Sequence, residues 1–161
     1  MKKLLLIITL FIGLGNLNAQ TKEETIFWFN EYGFDMLNKN ESTPHKTGYE
    51  MNQDSFTLTS NKVSNGKLAY ISAVSFDCLG KVYTENIHLI EDEDKIIITF
   101  NEKCVKNKVI DLEDNYNTDS RWLGFKESTS SEDKKRFLKA LKHLAKLCGA
   151  KEKPKVQKNT F

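Results

Sequence analysis

The stretch RFLKALKHLAKLCGAK, Arg136 to Lys151, sets His143 and Cys148 five residues apart among lysines. A thiol beside an imidazole can serve as an activated nucleophile, and both groups ligate zinc. Helical spacing separates them. Five steps of about 100° leave the two side chains about 140° apart around the axis, too far for a local dyad. His143 instead lines up with Arg136, Lys139 and Lys146 and is expected on the solvated side, while Cys148 is expected inward with Phe137, Leu141 and Leu144. His45 and His88 show no metal-ligand spacing with His143 or with the cysteines. No metal, cofactor or catalytic residue is therefore expected.

Residues 1–19 read as a secretory signal. Lys2 and Lys3 precede an apolar run from Leu4 to Leu14, broken only by Thr9 and Gly13, and Ala19 offers a cleavage point before Gln20. The run is about half of the roughly 20 apolar residues that cross a bilayer, so the mature chain is expected to lack a transmembrane span and to be periplasmic or extracellular. Export makes the three cysteines, Cys78, Cys104 and Cys148, a candidate disulfide plus one thiol. All three pairings are possible. Cys104–Cys148 is favoured because each residue ends an element and the bond would pin the last helix to the sheet. Its loop of about 45 residues would contribute roughly 4 kcal/mol in the chain-entropy model. Cys78 is then the expected free thiol, with Asp77 supplying the wrong charge for a reactive one.

Carboxylate chemistry is weakly signalled. Asn115-x-Asn117-x-Asp119 alternates oxygen ligands, but Ser120 and Lys126 stand where a calcium loop needs glycine and glutamate. The run Glu91-Asp92-Glu93-Asp94 reads as a soluble hairpin tip. Cations are more unevenly placed. Residues 134–158 hold ten Lys/Arg and one acid, whereas 20–133 hold twelve basic and twenty-one acidic residues. Lys139, Lys142, Lys146, Lys151, Lys153 and Lys155 could meet lipid headgroups, an envelope polyanion or an acidic partner. Nucleic acid is not expected, since the chain is exported and no aromatic residues interleave the cations.

The elements that must position these residues follow from pattern. Thr21-Lys22-Glu23-Glu24 predicts a capping box opening a helix, with Ile26, Phe27, Trp28, Phe29 and Tyr32 between two apolar surfaces and Gly33 as its stop. Residues 34–53 read as loop with one short strand. Strands are expected at Phe56–Thr59 and Leu68–Phe76 around an Asn65-Gly66 hairpin turn, then at Val82–Ile90, Lys95–Phe100, Val105–Leu112 and Arg121–Phe125. Ile96, Ile98 and Phe100 share one face, and 113–120 reads as a loop. The last helix is capped by Ser130 or Ser131, and its face of Phe137, Leu141, Leu144 and Cys148, broadened by Ala140 and Leu147, must cover the sheet.

The expected architecture is a single α+β domain over 20–150, an N-terminal helix, an antiparallel meander of about five to seven strands and a C-terminal amphipathic helix, followed by a basic flexible tail, 151–161. This plan resembles pleckstrin-homology-like architecture, other α+β sandwiches being the alternative. Asn18-Ala19-Gln20, Glu24-Thr25-Ile26-x-Trp28, Lys103-Cys104-Val105, Lys139-Ala140-Leu141-x-His143-Leu144-x-x-Leu147-Cys148-Gly149 and the terminal Phe161 resemble small exported proteins of flavobacteria and related Bacteroidetes, a group without an assigned activity. The resemblance implies export and a sheet with a final helix. It carries over no site residues. The expected function is binding or envelope association; attachment to anionic surfaces and an enzyme of unrecognised type are the alternatives.

Overall fold

The computed structural model describes residues 20–37, 45–62, 68–109 and 114–154. The signal sequence, the Asn65-Gly66 turn, Lys155 and the rest of the tail lie outside them. The fold is α+β: helix α1 (Lys22–Glu31), strands β1 (His45–Met51), β2 (Ser55–Lys62) and β3 (Leu68–Ser75), a one-turn helix α2 (Phe76–Leu79), strands β4 (Ile87–Ile90), β5 (Lys95–Thr99), β6 (Val105–Val109), β7 (Asp114–Thr118) and β8 (Ser120–Gly124), and the long helix α3 (Ser131–Leu147). Every strand pair is antiparallel. The eight strands divide into two sheets, ordered β1-β2-β3-β6-β7 and β4-β5-β8.

Helix α1 begins on the expected capping box. Glu24 N–H donates to Thr21 Oγ1 at 3.2 Å, and Thr21 N–H donates to Glu24 Oε2 at 2.9 Å. It ends at Glu31, and Gly33 opens a 3-10 turn, Gly33–Met36. A Cβ at Gly33 would come within 2.8 Å of the Phe29 ring, so the chain needs glycine to pass this close. Ile26, Trp28 and Phe29 are buried, but Phe27 and Tyr32 face out, so the helix buries one side rather than two. Asn30 fastens α1 to edge strand β1, accepting from Met51 N–H at 2.9 Å and donating to Met51 O at 2.8 Å.

The strand expected within 34–53 is the seven-residue β1, and two other local expectations change. Residues 113–120 are not simply a loop, because Asp114–Thr118 pairs with β6 as an edge strand. The chain between Val82 and Ile90 forms a 3-10 turn, Thr84–Asn86, before β4, with Val82 buried beneath it. Both edge strands are polar because one face is solvated and their neighbours supply the pairing.

Ser130 caps α3, its Oγ accepting from Asp133 N–H at 3.1 Å. Phe137, Ala140, Leu141, Leu144 and Ala145 are buried. Leu147 is 42% exposed and so does not broaden that face as expected. Phe137 centres an aromatic group, edge-on to Phe29 at 5.0 Å and to Phe125 at 5.3 Å. The acidic run is more than a solvated tip. Lys134 reaches Asp94 at 2.5 Å and Phe125 N–H donates to Asp94 O at 2.8 Å, so this turn docks the start of α3.

The disulfide joins Cys78 to Cys104, with Cα atoms 6.1 Å apart, and the free thiol is Cys148. This overturns the Cys104–Cys148 pairing and the assignment of Cys78 as the thiol. The reason is local. Ser75 caps α2 by accepting from Cys78 N–H at 3.2 Å, and that turn brings Cys78 to the residue preceding β6.

Candidate functional site

The predicted cations lie along α3. Lys135, Lys139, Lys142 and Lys146 line a groove of about 560 Å³ with His143, Leu138, Thr84, Glu85 and Glu152. Lys135 and Lys139 also border a second depression of about 330 Å³, walled by Gln20, Trp28, Glu132 and Arg136. Both acids of the larger groove are engaged. Glu152 pairs with Lys146 at 2.9 Å, and Glu85 accepts from Lys153 N–H at 3.0 Å. That hydrogen bond holds the Glu85 carboxyl below its ordinary value, with Lys142 a weaker contributor. Arg136 is shared between Glu132 and Asp133. Lys135, Lys139 and Lys142 have no ion pair among the described residues.

His143 is half-buried rather than simply solvated: its Nε2 lies 3.1 Å from Gln20 O, the residue expected to begin the mature chain. The start of the tail is also held. Lys151 forms a parallel bridge with Tyr83 and accepts from Thr84 N–H at 3.0 Å, so Lys151 to Lys153 run beside the groove instead of hanging free. Lys139, Lys142 and Lys146 therefore share one groove, Lys151 and Lys153 border it, and Lys155 lies outside the described residues.

Cys148 caps α3 at the margin of the core, half-buried. Burial pushes its thiol pKa up, Asp77 adding to the effect and Lys22 opposing it, which lowers the thiolate fraction at neutral pH. Asn115 and Asn117 lie exposed on an extended strand that cannot wrap an ion. Among the described residues no three His, Cys, Asp or Glu side chains converge as a metal site, and no helix is long and apolar enough to cross a membrane.

Sequence reasoning missed a second polar group, inside the fold. Across the large sheet, Met51, Phe56, Val74 and Val105 form an apolar row; the next row runs Tyr49, Leu58, Ser72 and Asn107, so that three of these four positions carry polar groups. Arg121 on β8, opposite Ile98, projects from the small sheet into this polar row, its Nη1 donating to Ser72 Oγ at 3.0 Å. Tyr70 donates to Asn107 Oδ1 at 2.6 Å, and Asn107 Nδ2 donates to Val105 O at 3.2 Å and Thr118 Oγ1 at 3.3 Å. Tyr49 lies within reach of the Arg121 charge and is stacked on Phe34 and Phe56. Burial raises the Tyr49 pKa and lowers that of Arg121. The available signal was parity: in Arg121-Trp122-Leu123-Gly124-Phe125 the arginine shares its face with Leu123 and Phe125, both of which are buried.

No family model matches the chain, and neither a curated protein nor a solved structure matches it.

Proposed function

We infer that this is an exported domain that acts by binding rather than catalysis, and that the lysine-lined groove along α3 is the surface it applies to anionic membranes. The observation that carries the reading is the makeup of the groove. Four lysines face two glutamates, and both glutamates already have partners, so Lys135, Lys139 and Lys142 are left to meet external anions. Such a concave, net-cationic strip suits phosphate-bearing headgroups, each lysine near an anionic surface contributing about 1 kcal/mol. The Cys78–Cys104 bond supports residence in an oxidising compartment.

Sedimentation with phosphatidylglycerol vesicles tests the assignment. The protein is expected to co-sediment at low ionic strength and to be released by salt, because screening shortens the reach of exposed charges. Replacing Lys135, Lys139 and Lys142 together by glutamine should weaken binding on the order of a hundredfold, about 3 kcal/mol at 1 kcal/mol each. Unchanged binding by that variant, or equal binding to neutral vesicles, would remove the groove from consideration.

A further inference from the structure

The small sheet has two faces of opposite character. Ile87, Ile96, Ile98 and Leu123 are buried on the inner one. Strand parity turns the intervening residues outward, and the register sets them in rows. His88, Ile97 and Trp122 form the central row, with Ile90, Lys95 and Gly124 on one side and Thr99 and Ser120 on the other. Trp122 is 53% exposed, more than any other large hydrophobic residue described. An indole presented to water on a flat face offers a large apolar area beside polar neighbours, the composition of a binding surface.

The ring is held in place. Lys95 sets its ammonium 3.7 Å from the ring centroid and pairs with Glu93. The Lys95 side chain is only 16% exposed, so the lysine occupies the protein-facing side of the indole and leaves the other side to solvent. A Cβ at Gly124 would have nothing within 4 Å, so open space lies beside the ring. The rim is polar, with His88 and Thr99 exposed and Ser120 half-buried. Among the described residues the His88 ring and the hydroxyls of Thr99 and Ser120 make no hydrogen bond, the carbonyls of the latter two accepting from Asn86 and Thr118.

Size and charge select the occupant. Three strands and three rows span about 10 by 13 Å. A stable protein partner buries roughly 800 Å² on each side, so this face is too small for a second copy or another folded domain. The Lys95 charge is met by Glu93 and the indole, which leaves no net charge to attract an anion, and a cation on the open side would be repelled by the ammonium beneath. A sugar ring is uncharged, lays C–H bonds against the electron-rich indole face and carries hydroxyls to the rim.

We propose that the outer face of the small sheet binds a neutral oligosaccharide, one sugar ring stacking on the open side of Trp122 while hydroxyls of the chain meet His88, Thr99 and Ser120. The site shares no residue with the lysine groove and does not depend on what that groove binds.

The test is an NMR titration of the whole protein with cello-, chito- and manno-oligosaccharides, following the Trp122 indole Nε1–H resonance, with the buried Trp28 as internal reference. Saturable movement of the Trp122 signal by at least one of these sugars, with Trp28 unmoved and affinity insensitive to salt, is the expected result. Trp122→Ala should weaken binding at least tenfold and Trp122→Phe by a smaller factor. The position is exposed, so neither change opens a core cavity. Replacing Lys135, Lys139 and Lys142 by glutamine should leave sugar binding unchanged. An indole resonance unmoved by all three sugars, or full binding by Trp122→Ala, would overturn the proposal. An equal response to choline or to an apolar peptide would show a general aromatic patch, and movement with protein concentration alone would show self-association; either result overturns it as well.

Discussion

Phe137 is closed to solvent and touches three aromatic rings from two other parts of the chain: Trp28 and Phe29 on α1, and Phe125 after β8. Removing its ring would leave a void that none of these rigid neighbours can fill by rotating, so both the transfer term and the cavity term are lost. Phe137→Ala should cost about 3–5 kcal/mol. Urea unfolding checks this, with a lower midpoint at unchanged slope as the expected result. Gly80 is constrained in a different way. A Cβ there would stand 2.0 Å from the carbonyl oxygen of Cys148, and backbone cannot move aside as a flexible side chain would. This close approach packs the end of α3 against the end of α2.

At the scale of elements, the bridge joining Tyr83 to Lys151 and the bond from Lys153 N–H to Glu85 dock the chain after α3 beside the groove. The Glu85 carboxyl has its pKa lowered in the folded protein, so its contribution is present above the ordinary value of 4.5 and fades as pH falls through the lowered one. The Lys153 amide resonance should accordingly titrate below pH 4.5, and Glu85→Gln should abolish that titration. Elements with strong internal signals are legible in the sequence: the capping box at Thr21, the Ser130 cap, and the alternation of Ile96, Ile98 and Phe100, all three buried. Strand β7, DNYNT, was not. Its place in the sheet comes from pairing with β6, and an exposed polar edge leaves no hydrophobic period to read. The candidate sites divide in the same way. The lysine stripe follows from helical spacing, but its groove requires Thr84, Glu85 and Glu152 from elsewhere. Arg121 could be assigned to the inner face by parity, whereas its partner Ser72 lies 49 residues away.

For the molecule as a whole, two sheets of five and three strands share one interior, closed in part by α1 and α3, and a covalent bond links the turn after β3 to the residue before β6. The pairing could not be read from the chain because all three cysteines lie near element ends and only the folded path chooses between them. With the bonded positions 26 residues apart in sequence, the chain-entropy model gives about 3.5 kcal/mol for Cys78–Cys104. The double substitution Cys78→Ser/Cys104→Ser should lose roughly that much stability, whereas Cys148→Ser should lose far less. Peptide mapping of the oxidised protein should find Cys78 linked to Cys104 and alkylation at Cys148 alone; a link to Cys148 would refute the assignment.

That bond encloses β4 and β5 completely, while β8, the third strand of their sheet, comes from outside the loop. The covalent route through the molecule therefore bypasses two strands. Under tension applied at the two ends of the chain, force would pass from Cys78 directly to Cys104, and the intervening segment would bear none of it. About 90 Å of contour, at roughly 3.3–3.6 Å per residue, stays in reserve until the sulfurs are reduced. The smaller sheet can be stripped of β8 by a pull, but its β4–β5 hairpin cannot be drawn out end to end while the bond remains.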